Sequence, residues 1–179
     1  MSANTLRFKP VATSPIGAIN GNREDLKTIA GQINNKYFQF RTEENIQPVI
    51  WTKTIVNSIF NSVCPLLETD NGIFHRNHDA LHIAKGIIAE CIGVAESRGI
   101  YLNAGEVLDT LLRISRSSDG QLISTYQDIK NRRRTEIETL NFAIAGIAVG
   151  LKQADAVKET RLLGELVKLK SELMMDASL

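Results

Sequence analysis

Lys53, Asn57 and Asn61 follow one another at intervals of four. In a helix that spacing stacks them on one face, drifting about 40° per step at 3.6 residues per turn. Asn is an indifferent helix former, so two of them in line behind a lysine make a polar strip that a ligand could touch. The solvated side of an ordinary amphipathic helix looks the same. A second polar cluster is Ser124-Thr125-Tyr126-Gln127-Asp128, followed by Arg132-Arg133-Arg134-Thr135-Glu136-Ile137-Glu138. Ser124 is placed to cap a short helical stretch from Thr125 to Asn131. Glu136 is placed near the start of a longer helix, where a carboxylate meets the helix dipole favourably. The three arginines can bind an anion, or can be solvated and paired with nearby glutamates. The third cluster is His75, His78, Asp79 and His82. His78 and His82, one turn apart, can present two imidazoles to a metal. Asp79 points to a different face, however, and no H-E-x-x-H pattern is present, so these read as surface or helix-start histidines and no metal is expected.

These residues need elements to position them. From residue 48 onward the chain reads as helix almost throughout. The first helix is expected from Ile50 to Val63, with Trp51, Ile55, Val56, Ile59, Phe60 and Val63 as its apolar positions. The second is expected from Asp79 to Arg98, striped by Leu81, Ala84, Ile88, Cys91 and Ala95 and stopped by Gly99. Asn103 opens a third, with Val107, Leu108, Leu111 and Leu112 inward, and Ser115 to Gln121 reads as a polar loop. A fourth helix is expected from Thr135 to Gly150, where Ala143, Gly146, Ala148 and Gly150 permit close approach of a neighbour. A fifth is expected from Lys158 to Met174, with Leu162, Leu163, Leu166, Leu169 and Leu173 as its apolar side.

Residues 1–47 differ in texture. Leu6 to Ala18, broken by Pro10 and Pro15, and Tyr37 to Arg41 read as strands. A short helix from about Asn22 to Asn34 lies between them, with Leu26, Ile29 and Ile33 on one side. A strand-helix-strand piece of this size cannot bury both faces of its sheet, so it reads as the edge of something larger.

Composition bounds the function classes. The 179 residues are 43% apolar and 23% charged, which excludes a disordered tail, a collagen-like fibre and a disulfide scaffold. The formal net charge of +1 gives no general pull toward nucleic acid or anionic membrane, so neither is expected as a partner. No run of about 18 apolar residues exists to span a bilayer. Cys64 and Cys91 sit far apart in apolar surroundings and read as buried free thiols, which fits a cytoplasmic location.

The order and spacing of the clusters resemble the C-terminal, substrate-binding domain of ketopantoate reductases (2-dehydropantoate 2-reductases). The run from Trp51 through Lys53 and Asn57 to Asn61 is similar to the family's W-x-K-x-x-x-N-x-x-x-N helix, and Asn71-Gly72 to the Asn-Gly that follows it. Ser124-Thr125-Tyr126-Gln127-Asp128 is similar to S-x-x-Q-D, and Arg134-Thr135-Glu136-Ile137-Glu138 to R-x-T-E-I-D, with Asn141 standing for the next Asn. The resemblance covers about residues 48–173. It implies a mainly α fold, the helical ketopantoate reductase C-terminal domain (6-phosphogluconate dehydrogenase C-terminal-like), over residues 48–179. Residues 1–47 resemble the last strands and helix of a Rossmann-type dinucleotide-binding domain, a small β-α-β remnant.

The resemblance also implies roles. Lys53 matches the catalytic lysine, whose ammonium can stabilise and protonate the alkoxide left by hydride addition. Asn57, Asn61 and Ser124 match substrate-binding residues, and Gln121 stands where a substrate-touching Asn is often found. Glu136 matches a glutamate that helps position the lysine and can also face the cofactor. The implied reaction is NADPH-dependent reduction of 2-dehydropantoate to pantoate, a step toward pantothenate and coenzyme A. The G-x-G-x-x-G phosphate turn of such enzymes is absent from the 179 residues. The cofactor is therefore expected to bind mainly to a missing N-terminal domain, the chain alone is expected to be inactive, and a truncated or proteolysed piece of a longer protein is its simplest explanation. Ser62, Ile123, Gln121 and Phe142 depart from the family's usual residues, and so does the lack of Pro from Lys152 to Thr160. That leaves a paralogue reducing another 2-oxo acid as an alternative. A non-enzymatic helical module, with the fourth and fifth helices pairing two copies in a homodimer, is another.

Overall fold

A computed structural model describes residues 13–19 and 23–176. The chain divides into two compact units, Met1–Ile50 and Trp51–Leu179. In the first, strands β1 (Ser14–Ile16) and β2 (Phe40–Thr42) pair in parallel, Ser14 opposite Phe40 and Ile16 opposite Thr42, joined through helix α1 (Arg23–Ile33). The expected strand from Leu6 falls partly outside the described residues. The second strand starts later than Tyr37, because the Asn35 side-chain oxygen accepts the amides of Tyr37 and Phe38 at 2.9 and 3.0 Å and holds them in a turn.

Helix α2 (Gln47–Leu66) runs on from the first unit into the second. The Asn45 side chain accepts the Gln47 amide at 3.2 Å, and Pro48 lies in the first turn, where a missing N–H costs nothing. From Ser58 to Pro65 every residue of α2 is buried. Around it stand α3 (Ile73–Arg76), α4 (His78–Glu96), α5 (Ala104–Ser117), α6 (Ser124–Lys130), α7 (Asn141–Gly150) and α8 (Lys158–Asp176). The core joins Ile55, Ile59 and Phe60 of α2 to Phe74, Ile87, Val94, Leu111 and Ile144. Phe60 and Phe74 meet edge to face with centroids 4.9 Å apart. Asn77 caps α4 by accepting the Asp79 and Ala80 amides, and Asn103 caps α5 through Gly105 and Glu106. Gly99, at φ +71°, ends α4 as expected. Among the described residues, no helix is long and apolar enough to cross a membrane.

Four local expectations change. Ser115 to Gln121 is not all loop: α5 runs to Ser117, and Ser115 is fully buried, donating to the Asn71 carbonyl at 2.7 Å. The expected helix from Thr135 is interrupted, giving a 3-10 turn at Ile137–Thr139 and then α7 from Asn141. Thr139 bonds back to the Glu136 carbonyl through both its amide, at 3.0 Å, and its hydroxyl, at 2.8 Å, which closes a turn instead of continuing the α ladder. Glu136 therefore does not sit on the first turn of a long helix. In α7 the close approach is not made by Gly146, which faces open space. It is made by Gly164 of α8, where a Cβ would lie 2.9 Å from that of Asn141.

The largest change is in α8. Its buried residues are Thr160, Gly164, Val167 and Ser171, while Leu162, Leu166, Leu169 and Leu173 are exposed. The Glu90 carboxylate of α4 explains this orientation. It accepts the amides of Glu159 and Thr160 and the Thr160 hydroxyl at 2.7 to 2.9 Å, capping the α8 N-terminus from another helix and fixing which side turns inward.

Candidate active site

The Lys53-Asn57-Asn61 stripe lies on α2 and descends into the domain. Lys53 is exposed, Asn57 is half-buried and Asn61 is 5% exposed. The gradient follows from α2 itself, whose C-terminal half is enclosed on all sides.

At the buried end the stripe meets the segment that begins α6. The Asn61 side-chain NH₂ donates to the Asn57 carbonyl at 2.9 Å. Its oxygen accepts the Ser124 hydroxyl at 3.3 Å and the Thr125 amide at 3.4 Å. This overturns the expectation that Ser124 caps α6: Ile123 is the N-cap, it makes no side-chain cap bond, and the Ser124 hydroxyl is turned to Asn61 instead. Asn61 accepts the Thr125 amide, one of the free donors at the helix start, and so does the work of a cap from a distance of 64 positions in sequence.

Gln121 is exposed, and its tie to the fold is through the backbone. Its carbonyl accepts the Asn71 amide at 2.9 Å, and its own amide donates to Ser118. Asn71 is buried. Its side-chain NH₂ donates to the Ser118 hydroxyl at 3.2 Å, while its side-chain oxygen is buried without a partner. Asn71 thus holds the loop that leads through Gln121 to Ser124. The sequence flagged Asn71-Gly72 only as part of a resemblance; an Asn-Gly pair reads locally as a turn, and nothing local announces that its amide group reaches across to α5. Gly72 has a clear reason to be Gly, since a Cβ there would collide with the Asp119 carboxylate and the Arg76 guanidinium.

Beside Gly72, Asp70 accepts the Gly72 amide at 2.7 Å and the Gly120 amide at 3.3 Å, and pairs with Arg76 at 2.8 Å. Arg76 also pairs with Asp119. The Arg76 guanidinium holds the Asp70 carboxyl below the usual carboxylate range, and the two backbone amides act in the same direction.

Glu136 is exposed on the far side of α6 in sequence, and it forms no ion pair with Lys53. The cleft of about 350 Å³ next to it is lined by Arg134, Thr135, Ile137 and Glu138, and by residues of α8, not by Lys53, Asn61 or Ser124. The structure therefore joins the Asn61 side chain to the Ser124 hydroxyl and to the Asn57 backbone carbonyl, sets Lys53 about one turn before Asn57 on the same helical stripe, and leaves Glu136 and the Gln121 side chain outside that hydrogen-bonded group.

His75 is used structurally. His75 Nδ1 lies 3.0 Å from the Ser115 hydroxyl, and its Nε2 lies 3.9 Å from Asp119. Among the described residues, no group of three His, Cys, Asp or Glu side chains is arranged to hold a metal ion. Cys64 and Cys91 are buried free thiols, each pushed up to about 12 mainly by burial.

The same fold occurs in solved dehydrogenases and reductases. D-mandelate dehydrogenase, solved with NADH and anilino(oxo)acetate, matches with a TM-score of 0.82 and 25% identity over 89% of this chain and 66% of that one. A PanE/ApbA family ketopantoate reductase from Ralstonia eutropha shares the fold with a TM-score of 0.73 at 23% identity, over 91% of this chain and 53% of that one. Residues 45–171 match the family described as ketopantoate reductase PanE/ApbA C terminal, and the chain belongs to that family. The 2-dehydropantoate 2-reductase of Streptococcus pyogenes serotype M3 is 30% identical over 166 residues, which are 89% of this chain and 53% of that protein. The chain spans about half the length of the curated relatives it matches.

Proposed function

We propose that this chain is the substrate-binding and catalytic-lysine domain of an NADPH-dependent reductase that converts 2-dehydropantoate to pantoate. The observation that carries the reading is the α2 stripe whose buried amide, Asn61, is bonded to Ser124 from α6. Two segments far apart in sequence thereby present a lysine, a half-buried carboxamide and a hydroxyl on one side of the domain. Lys53 is exposed and has no ion-pair partner among the described residues, so its ammonium is free to meet a substrate oxygen. In the proposed reaction it stabilises the charge that develops on the carbonyl oxygen and passes a proton from Nζ to it. Asn57 and Ser124 hold the substrate's polar groups. Asn61 has one N–H and its oxygen already committed, so its main task is to orient Ser124 and fix the start of α6. Glu136 lies outside this group, and its proposed part in positioning Lys53 rests on the family match alone.

The residues in hand do not fit the nucleotide. No G-x-G-x-x-G occurs in the 179 residues, so the backbone cradle for a pyrophosphate is not supplied by them. The division of residues into a 1–47 dinucleotide-domain remnant and a 48–179 substrate domain belongs to the same proposal.

The test uses this chain joined to a dinucleotide-binding half. Ketopantoate-dependent NADPH oxidation is expected, and Lys53→Ala should lower kcat by about 10²–10⁴-fold. Normal turnover by that variant would remove the lysine from the mechanism. A second reading is favoured by the D-mandelate dehydrogenase likeness, whose TM-score of 0.82 exceeds the 0.73 of the ketopantoate reductase. On that reading the domain serves a different 2-oxo acid, and NADH takes the place of NADPH. Comparing kcat/KM for ketopantoate and an aryl 2-oxo acid, with each nucleotide, decides between them.

A further inference from the structure

The last member of the Arg132-Arg133-Arg134 run lines the cleft of about 350 Å³ between the 3-10 turn at Ile137–Thr139 and helix α8. That volume is at the small end of the roughly 300–1,000 Å³ that accommodates small molecules. One wall carries Arg134, Ile137 and Glu138. The other carries Lys168, Ser171, Glu172 and Met175, whose spacing of three and four puts them on one side of α8.

Several groups on these walls are not used by the fold. Ser171 is 4% exposed, and its hydroxyl has no hydrogen-bond partner among the described residues. Leaving a buried hydroxyl unmet costs on the order of 1–3 kcal/mol, so a ligand that reaches it gains by meeting it. Lys168 reaches Glu138 on the opposite wall at 3.5 Å. Arg134 and Glu172, one on each wall, have no ion-pair partner among the described residues.

We propose that this cleft binds a zwitterionic α-amino acid with an aliphatic side chain. Its carboxylate pairs with the Arg134 guanidinium, its ammonium with the Glu172 carboxylate, and the Ser171 hydroxyl donates to the ligand carboxylate. Ile137 and Met175 supply the apolar part of the lining for the side chain. The charges of the cleft select this class. A plain anion is drawn to Arg134 and Lys168, yet it also faces Glu138 and Glu172. A plain cation meets the reverse conflict. A molecule that carries both signs is attracted at both walls, and like-charge contacts penalise its singly charged relatives. The inference is independent of the catalytic proposal. None of its residues belongs to the Lys53-Asn61-Ser124 group, and binding is read without any turnover.

Titration of the isotope-labelled 179-residue chain, followed by amide resonances in nuclear magnetic resonance spectra, tests it. L-leucine is the probe. Two relatives with the same side chain each lack one charge: 4-methylpentanoate has no ammonium, and 3-methylbutylamine has no carboxylate. L-leucine should give saturable shifts at the amides of Ile137, Glu138, Ser171 and Glu172, with a Kd of about 0.1–1 mM. Each relative should bind about tenfold more weakly or worse. Glu172→Gln should weaken L-leucine about tenfold and bring it within about threefold of 4-methylpentanoate, because the ammonium has lost its partner. Arg134→Gln should likewise bring L-leucine within about threefold of 3-methylbutylamine. Both side chains are exposed, and the dispersion of the amide spectrum confirms that each variant is folded. Three results overturn the site: no saturable shift at those amides up to about 20 mM L-leucine, binding of 4-methylpentanoate or inorganic phosphate as tight as that of L-leucine, or variants that bind L-leucine as the wild type does.

Discussion

The two units differ most in what they do with their apolar residues. In Trp51–Leu179, aromatic and branched side chains from α2, α3, α4, α5 and α7 enclose one another, and Ile55, Ile59, Phe60, Phe74 and Ile87 have essentially no exposure. In Met1–Ile50 the buried apolar residues among those described are Ala30 and Ile46, while Ile29, Ile33, Tyr37 and Phe38 stand 40 to 55% exposed. Two three-residue strands and one helix have too little material to cover both faces of a sheet. The second unit closes its own core, and among the described residues the first leaves apolar surface uncovered. The same contrast separates residues whose loss opens a cavity from residues whose loss removes only surface.

Four measurements break or sharpen that contrast. The largest effect is expected for Phe60→Ala, which empties a site shared with Phe74 and should cost about 3–5 kcal/mol in urea denaturation. A loss below about 1 kcal/mol would mean that the second unit's core is not closed there. Next comes thiol chemistry. With Cys64 and Cys91 pushed up to about 12 by burial, their modification by a thiol reagent at pH 8 should be about a thousandfold slower than that of a free thiol, and should become fast on unfolding. Prompt labelling of the native chain would contradict the enclosed packing. Asp70→Ala follows, with an expected loss of roughly 1–2 kcal/mol from removing the acceptor of two backbone amides and Arg76.

The Asp70 contribution carries its own pH signature. Its folded carboxyl is lowered by Arg76, so its stabilisation is fully present above the unfolded value of about 3.9 and is lost as pH falls through the lower folded value. The difference in stability between wild type and Asp70→Ala should therefore shrink as pH drops below about 4, and a constant difference would assign the effect to something other than the charge. The smallest effect is expected for Phe38→Ala in the first unit. With that ring 53% exposed, its removal should change stability by no more than about 0.5 kcal/mol.

Much of this was legible locally. The apolar period of α2, α4 and α5, the stop at Gly99 and the start at Asn103 are properties of short windows, because helix periodicity and capping involve residues within about one turn of each other. The stripe of Lys53, Asn57 and Asn61 was legible for the same reason, as an interval of four on a helix already marked by its apolar positions. The break at Leu140 was not. It depends on Thr139 closing a turn on Glu136 and on the Asn141 side chain reaching the Thr160 carbonyl at 2.9 Å, nineteen residues on. The commitment of Ser124 to Asn61 instead of to its own helix was equally hidden, since a serine at a helix start satisfies the local capping pattern whichever oxygen it meets.

Residue order alone determined that most of the chain from residue 48 onward becomes helix, that the chain is mainly α, and that a lysine and two carboxamides share one face of α2. The fold decided which side of α8 turns inward. Composition favours the leucines, yet Glu90 grips the first turn of α8 through Thr160, and Gly164 lets its backbone press against Asn141. Those contacts join positions that are far apart in the chain, and they outweigh a preference that any single helix expresses only by being amphipathic.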